Sequence, residues 1–189
     1  MTLRLPVAYF EEIYSRAEDP WHFETSWYER RKYELTMAAL PRERYRRAFE
    51  PGCANGALTE RLAPRCDELV ALEPVAEVAR RAARRMGHAD HVSVTVGALP
   101  EDWPPGPFDL VVFSEVAYYL TERGLTLACR RAVSSLRGGG HLVAVHWTGT
   151  TDYPATGAAV HERLRAQRDL RCVVDHRDEQ FLLTVLEAR

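Results

Sequence analysis

Lysine is almost absent from this sequence. Of its 25 lysine and arginine residues, only residue 32 is a lysine, and 27 acidic residues leave a formal net charge of −2. The short basic run from Arg42 to Arg47 is typical of a solvated segment. A chain with so little net charge produces no overall field that attracts nucleic acid or a membrane surface. We therefore expect neither of them as a partner.

Long apolar runs and paired cysteines are also missing. No apolar run approaches the about 20 residues of a membrane-spanning helix, and no signal segment opens the chain. His88 and His91, the close histidine pair, have no further ligand nearby, so no metal site is expected. Without a Cys-x-x-Cys pair, the scattered cysteines indicate reduced thiols in a cytoplasmic protein. They are Cys53, Cys66, Cys129 and Cys172.

Two helices are predicted before the first strand. One covers residues 6–16, and the other runs from residue 25 or 26 to Leu40, where Pro41 ends it. Ser26 and Glu29 are three residues apart at the start of the second helix. This spacing is typical of a capping box, in which the two side chains satisfy free backbone N–H groups.

Aromatic side chains are concentrated in the same segment. Such a cluster either packs the helices onto the rest of the protein or forms a lid over a flat or cationic ligand. We interpret residues 1–40 as a helical lid on a single domain of residues 1–189, with a core over 45–189. The eight aromatic residues of the segment are Tyr9, Phe10, Tyr14, Trp21, Phe23, Trp27, Tyr28 and Tyr33.

Strand and helix patterns alternate after residue 45. Five such units predict a parallel sheet with helices on both faces. Two β-rich runs, 170–174 and 181–186, then predict a C-terminal antiparallel hairpin. The sequence thus predicts an α/β fold with a mostly parallel seven-stranded sheet. The other predicted strands are 46–50, 68–72, 91–96, 108–114 and 141–146, and the helices are 57–63, 75–86, 121–136 and 155–167.

A glycine turn follows the first predicted strand. Gly52 and Gly56 punctuate it, and Glu73 ends the next strand. Glycines that let a ligand approach the backbone, with a carboxylate for ribose hydroxyls, are typical of a nucleoside site. A dinucleotide fingerprint would need glycine at positions 54 and 57, where this chain has alanine. The turn therefore counts against an NAD-dependent oxidoreductase without excluding it.

Several motifs carry a more specific resemblance. Residues 50–56 resemble the first motif of S-adenosylmethionine-dependent methyltransferases, and the predicted alternation with its hairpin resembles their class I, Rossmann-like fold. Further segments resemble the nodulation protein S family. These segments are 19–23, 26–29, 31–33, 114–116, 118–120, 145–147 and 152–154.

The resemblance implies S-adenosylmethionine as the cofactor and no metal. One departure stands at Ala98, where many class I enzymes carry an acid near the adenine amine; adenine would then contact backbone around Ala98 and Leu99. Aromatic faces suit the sulfonium cation, and Arg31 or Lys32 would meet the methionine carboxylate. The expected cofactor-binding residues are Trp21, Arg31, Glu50, Gly52, Cys53, Asn55, Gly56, Glu73, Pro74, Ala98, Leu99, Ser114 and Tyr119.

The resemblance also implies a small-molecule acceptor, in first place an amine such as an amino sugar or oligosaccharide. An ammonium acceptor must lose a proton before it attacks, and Glu115 and His146 end two central strands. We expect these two residues to be catalytic. Methylation of a hydroxyl, and a non-catalytic or oxidoreductase nucleoside-binding domain, remain alternatives. The expected assembly is a monomer or a weak homodimer.

Overall fold

One seven-stranded sheet organises the protein. The computed structural model of the chain describes residues 2–189, and its strands lie in the order β3-β2-β1-β4-β5-β7-β6. The helices are α1 Val7–Arg16, α2 Trp27–Ala39, α3 Thr59–Leu62, α4 Ala76–Arg85, α5 Glu122–Ser135 and α6 Gly157–Arg165. The strands are β1 Tyr45–Pro51, β2 Cys66–Glu73, β3 Val92–Val96, β4 Phe108–Ser114, β5 Leu136–Trp147, β6 Leu170–Arg177 and β7 Phe181–Ala188.

The sheet is parallel except for its C-terminal hairpin. Strands β1 to β5 run in one direction, while β7 pairs antiparallel with both β5 and β6. After β3 the chain returns to place β4 on the other side of β1. The strand order therefore reverses between β1 and β4, and the carboxyl ends of the two strands border a crevice where ligands of open α/β sheets bind. The predicted seven-stranded α/β architecture is confirmed.

Strand β4 shows how both faces of the sheet are covered. Its side chains alternate in direction, as a pleated strand requires. Leu110 and Val112 pack in one buried cluster with residues of α2 and α3. Val111 and Phe113 pack in another with residues of α5 and α6. A strand covered on both faces is mostly apolar, which explains the hydrophobic run from Leu110 to Phe113. The buried Asp109 within β4 is satisfied by the N–H of Arg46 and by Arg137.

Several element boundaries differ from expectation, those of β5 and α3 among them. Strand β5 begins at Leu136, five residues before the predicted start, because Leu136 pairs with Phe108 at the beginning of β4. The glycines at 138–140 therefore lie within the strand. Helix α3 is limited to Thr59–Leu62 and continues as a 3-10 turn that contains Pro64, whose missing N–H cannot extend an α-helix.

The N-terminal segment is tied to the sheet edge. The backbone N–H of Leu5 donates to the Tyr119 carbonyl at 2.9 Å, and the N–H of Thr121 donates to the Leu3 carbonyl at 2.9 Å. These bonds hold residues 3–5 against the turn that follows β4. The expectation that residues 1–40 act as a lid stays a prediction; residue 1 lies outside the described residues.

The four cysteines form no disulfide within residues 2–189. All four cysteines are free thiols, and only Cys172 is exposed. None of the helices within residues 2–189 combines the length and the apolar composition that crossing a bilayer demands. The same stretch of chain contains no group of three or more side chains placed to hold a metal ion.

Replacement of Gly124 by alanine is expected to dislodge the N-terminal segment. A Cβ at this position would lie 1.9 Å from the Leu3 carbonyl oxygen, so the backbone of one element must shift. We expect a loss of about 1–3 kcal/mol, as for other overpacked sites, despite the better helix propensity of alanine. Urea unfolding measures this loss. Gly138→Ala is the matched control, because a Cβ there meets nothing within 4 Å, and equal loss in both variants would contradict the docking.

Candidate active site

A cavity of about 290 Å³ lies at the carboxyl edge of the sheet. It has two parts, which differ in chemistry. We call the part over β1, β2 and β3 the loop half; it contains Gly52, Ala54, Glu73, Pro74, Gly97, Ala98 and Leu99. We call the part beside α2, β4 and β5 the ionic half; it contains Tyr28, Glu29, Lys32, Glu115, Tyr118 and Trp147.

The glycine turn shapes the floor of the loop half. Gly52 has a φ of +71°, and a Cβ there would lie 2.8 Å from Cγ2 of Val116. Ala54 also has a positive φ, +49°, at the position where the methyltransferase motif usually has its middle glycine. Such a conformation is strained for a residue with a Cβ. The turn therefore exposes backbone to the cavity at a point where a larger side chain would block it.

Glu73 holds this turn in place from the end of β2. Its Oε2 accepts the N–H of Ala54 at 3.1 Å, and its Oε1 accepts the N–H of Val75 at 2.9 Å. Burial raises the pKa of Glu73 to about 7, although these two N–H groups favour the charged form. Each carboxylate oxygen keeps a second acceptor position. Glu73 can therefore support the turn and accept a ligand hydroxyl at once.

Aromatic rings from the N-terminal segment form a wall of the cavity. Trp21 stacks on Phe23 with centroids 5.6 Å apart, and Tyr14 meets Trp21 edge to face at 5.3 Å. Phe10 packs against Tyr119, which belongs to the 3-10 turn Ala117–Tyr119 that follows β4, with ring centroids 4.8 Å apart. All five rings line the cavity. The wall is therefore apolar and rich in π faces, a surface that attracts cations as well as flat groups.

The ionic half is built around the one lysine of the chain. Lys32 is 1% exposed, and its Nζ donates to Glu115 Oε1 at 2.6 Å and to Glu29 Oε1 at 3.0 Å. The same ammonium lies 4.7 Å from the centroid of the Tyr28 ring. Two carboxylates facing one ammonium give the cluster a net charge of −1 when all three groups are ionised. This half of the cavity therefore favours a cationic ligand.

The two acids of this cluster differ in their free acceptor capacity. Both oxygens of Glu115 accept hydrogen bonds, because its Oε2 accepts from the Tyr118 hydroxyl at 2.5 Å and the Trp147 N–H at 3.0 Å. Glu29, by contrast, uses only Oε1; within residues 2–189 nothing pairs with its buried Oε2. The buried Tyr28 hydroxyl is likewise unpaired across the described part of the chain. Buried polar atoms without partners are rare, and these two line the cavity.

The comparison with known proteins assigns the chain to a family. A protein-family model described as nodulation protein S (NodS) matches residues 12–146. The chain belongs to the nodulation protein S family. Nodulation protein S of Rhizobium tropici is 36% identical over 129 residues, which make up 67% of this chain and 54% of that protein. The match to the Sinorhizobium fredii protein is similar, at 33% identity over 60% of its length. The chain thus spans little more than half the length of these relatives.

Solved structures agree with this assignment. N-methyltransferase NodS from Bradyrhizobium japonicum WM9, in complex with S-adenosyl-L-homocysteine, superimposes with a TM-score of 0.85 at 26% identity and covers 96% of this chain and 97% of its own. A candidate methyltransferase from Pseudomonas syringae is 42% identical with a TM-score of 0.77, over 86% of this chain and 99% of that one. The predicted class I methyltransferase fold is confirmed.

The structure brings about half of the expected site residues to the cavity. Among those that do not line it, Cys53 packs with Ala71 and Ala82 beneath the turn, and Glu50 is buried, where desolvation raises its pKa to about 8. Gly56, Asn55 and Ser114 also lie outside the lining. The expected residues that do line it are Trp21, Gly52, Glu73, Pro74, Ala98, Leu99, Glu115 and Tyr119.

Contacts at Ala98 and Asn55 refine their expected roles. The backbone N–H of Ala98, expected to meet adenine, donates to Asp102 Oδ2 at 2.9 Å. The Asn55 side chain accepts the N–H of Ala57 at 3.2 Å and donates to Glu24 Oε1 at 3.2 Å. Asn55 therefore ties the glycine turn to the N-terminal segment. Leu99 lines the cavity, and its expected contact with adenine stays a prediction.

Arg31 lies away from the cavity, contrary to expectation. Its Nη2 donates to Asp178 Oδ2 at 2.6 Å, on the turn between β6 and β7. Successive residues of a helix point about 100° apart. Lys32 therefore faces the sheet edge while Arg31 faces the C-terminal hairpin, and of this pair only Lys32 reaches the cavity.

His146 is also misplaced for the expected role of base. It is completely buried and shares its face of β5 with Leu142 and Ala144, which pack with residues of α6. The next residue, Trp147, points to the other face and lines the cavity instead. Side chains alternate along a strand, so the two residues cannot both face the ligand. His146 does not contact the cavity in this arrangement.

Hydrogen bonds fix both ring nitrogens of His146. The Ala117 N–H donates to its Nε2 at 3.2 Å, so the ring proton is on Nδ1. Nδ1 then donates to His161 Nε2 at 3.2 Å, and His161 Nδ1 donates to Thr184 Oγ1 at 2.7 Å. His146 thereby anchors the 3-10 turn that carries Tyr118 and Tyr119. It is a positioning residue.

The sequence interpretation missed Tyr28, Glu29 and Tyr153 as cavity residues. Glu29 was expected in a capping box, but the Ser26 side chain caps nothing and Glu29 bonds Lys32. A usable signal was the spacing of Glu29 and Lys32, which places an acid and the single lysine on one helix face. Tyr153 packs against Tyr118 and Tyr119 with centroids 5.1 and 4.7 Å away. It follows β5 in a loop, where no periodic pattern indicates direction.

The buried histidine pair predicts a specific loss of stability in acid. Burial lowers the pKa of both His146 and His161 to about 3, against about 6.5 in an unfolded chain. Between these values only the unfolded state binds the protons, so stability falls as the pH drops from 6.5 toward 3. Each histidine contributes about 1 kcal/mol per pH unit in this window.

His146→Gln is expected to flatten the pH dependence. We expect the slope of the unfolding free energy between pH 6 and 4 to fall by about 1 kcal/mol per unit relative to wild type. Urea unfolding at several pH values measures this slope. His88→Gln, at an exposed position, is the matched control. Identical slopes for wild type and His146→Gln would show that His146 takes up protons in the folded state.

Proposed function

We propose that this protein is an S-adenosylmethionine-dependent methyltransferase that methylates the amine of a small molecule, such as an amino sugar or oligosaccharide. The proposal rests on one observation: the loop half and the ionic half line the same cavity. A glycine turn with a buried acid suits a nucleoside, and a buried cluster of net negative charge suits an ammonium group. The similarity to an N-methyltransferase structure with bound S-adenosyl-L-homocysteine supports both parts.

The loop half fits S-adenosylmethionine. Gly52 allows the turn to pack against Val116, where a Cβ would clash, and Glu73 retains acceptor positions for ribose hydroxyls. When bound, this cofactor supplies a methyl group that a sulfonium makes electrophilic. The rings of Trp21 and Tyr119 provide the faces on which a sulfonium is favoured. The chain would mainly align the reactants and exclude water.

The ionic half supports an amine as the acceptor. An ammonium group has three donors and a positive charge, and this half offers the unpaired Glu29 oxygen, the unpaired Tyr28 hydroxyl and excess negative charge. Glu115, expected to be catalytic, would act by fixing Lys32 and the charge of the pocket. A neutral hydroxyl acceptor would gain less from a net charge of −1 in a desolvated site.

Binding of S-adenosyl-L-homocysteine tests the cofactor assignment. We expect calorimetry to show binding and Glu73→Gln to weaken it by about 1–3 kcal/mol, because a buried hydrogen-bond acceptor for the ribose is lost. Glu68→Gln, an exposed acid on the same strand, should bind as wild type does. If the protein binds NADH but not S-adenosyl-L-homocysteine, the methyltransferase assignment is wrong and an oxidoreductase takes its place.

A matched pair of acceptors tests the amine assignment. With S-adenosylmethionine, we expect a glucosamine oligosaccharide to be methylated and its fully N-acetylated form to remain unmodified. Acetylation removes the basic nitrogen lone pair and the positive charge while it preserves every hydroxyl. Mass spectrometry of the products measures the difference. Equal methylation of both oligosaccharides would assign the reaction to a hydroxyl group.

A further inference from the structure

Glu29 is the cavity acid with an available oxygen. Its side chain is 8% exposed, and Oε1 is held by Lys32 Nζ at 3.0 Å. Oε2 is buried and finds no hydrogen-bond partner within the described residues. A carboxylate oxygen in this position costs free energy unless a donor reaches it. Because Glu29 lines the cavity, a bound ligand can supply this donor.

The other two acids that line the cavity already accept hydrogen bonds on both carboxylate oxygens. Both oxygens of Glu115 are occupied, by Lys32 on one and by Tyr118 and Trp147 on the other. Both oxygens of Glu73 accept backbone N–H groups in the loop half. Lys32 is a donor to two carboxylates and cannot accept a proton while it remains an ammonium.

We propose that Glu29 is the general base that removes a proton from the ammonium group of the acceptor. This inference rests on the proposed function, since it requires an amine acceptor. The N–H bond breaks, the proton passes to Glu29 Oε2, and the electron pair stays on nitrogen as the lone pair that attacks the methyl carbon. Methylation restores a positive nitrogen, and Glu29 releases its proton to water when the products leave.

The surroundings of Glu29 suit this role. Burial raises the pKa of Glu29, and the Lys32 charge acts in the opposite direction. The neighbouring Glu115 charge raises the pKa further, while the nearby Tyr33 hydroxyl, which is outside hydrogen-bonding geometry with Oε2, lowers it. Proton transfer to a carboxylate of raised pKa is closer to balance than transfer to an exposed one. Tyr28, with its hydroxyl unpaired among the described residues, can accept a second N–H of the ammonium.

Glu29→Gln is the test that preserves the shape of the cluster. The amide oxygen can still accept from Lys32, while the amide nitrogen cannot take a proton. With S-adenosylmethionine and the glucosamine oligosaccharide as substrates, we expect kcat to fall about 100-fold and KM to change less. The acid limb of the kcat/KM pH profile, which reports protonation of the base, should disappear. Affinity for S-adenosyl-L-homocysteine should remain that of wild type.

Two further variants make the experiment selective. Glu34→Gln changes an acid on the exposed side of the same helix and should leave kcat and the pH profile unchanged. Glu29→Asp retains a carboxylate but withdraws it by one methylene, so we expect a smaller loss of kcat with the acid limb retained. If Glu29→Gln fails to fold, Glu29→Asp decides, and wild-type kcat in that variant would overturn the inference.

The outcomes separate this inference from the proposed function. In one outcome the wild-type protein methylates the oligosaccharide while Glu29→Gln retains a kcat within threefold of the wild-type value. This result would refute the role of Glu29 and leave the methyltransferase assignment intact. Wild-type protein that binds S-adenosyl-L-homocysteine but leaves the oligosaccharide unmodified would remove the amine acceptor, and the role of Glu29 with it. Loss of turnover together with loss of cofactor affinity in Glu29→Gln would place Glu29 in the cofactor site instead.

Discussion

The buried ion pair of Lys32 with Glu115 joins helix α2 to the carboxyl edge of the sheet. It connects α2 to the residue after β4 at 2.6 Å, with Glu29 as the second partner of the lysine. Buried pairs are a weak source of net stability, but loss of one partner commonly costs about 3–5 kcal/mol. The main effect of this contact is to fix the position of the ionic half relative to the glycine turn.

Sheet topology explains why the two halves of the cavity meet. The reversal of strand order between β1 and β4 opens a crevice, with the glycine turn on one side and Glu115 on the other. Parallel strands bring their carboxyl ends to a single edge, so residues distant in sequence become neighbours. The N-terminal aromatic wall then covers this edge. The apolar wall beside these fixed donors and acceptors makes their electrostatic interactions stronger than they would be in bulk water.

Two buried histidines hold the turn after β4 in place by hydrogen bonds. His146, His161 and Thr184 form a directed hydrogen-bond chain from the turn after β4 to β7. Both histidines remain neutral because burial disfavours their charged forms. The chain holds the turn that carries Tyr118, whose hydroxyl in turn binds Glu115. Preorganisation of the ionic half thus extends through the sheet to the C-terminal hairpin.

The sequence by itself determined the fold and the loop half of the site. Hydrophobic periodicity and the glycine turn are local signals, so the strands, the helices and the position of Glu73 followed from them. The ionic half depended on the tertiary structure. On α2 either Arg31 or Lys32 could face the cavity, and on β5 either His146 or Trp147 could. The choice depends on which side of the helix or strand is covered by the elements that pack against it. Neighbouring residues point in different directions, and only packing decides which direction meets the ligand.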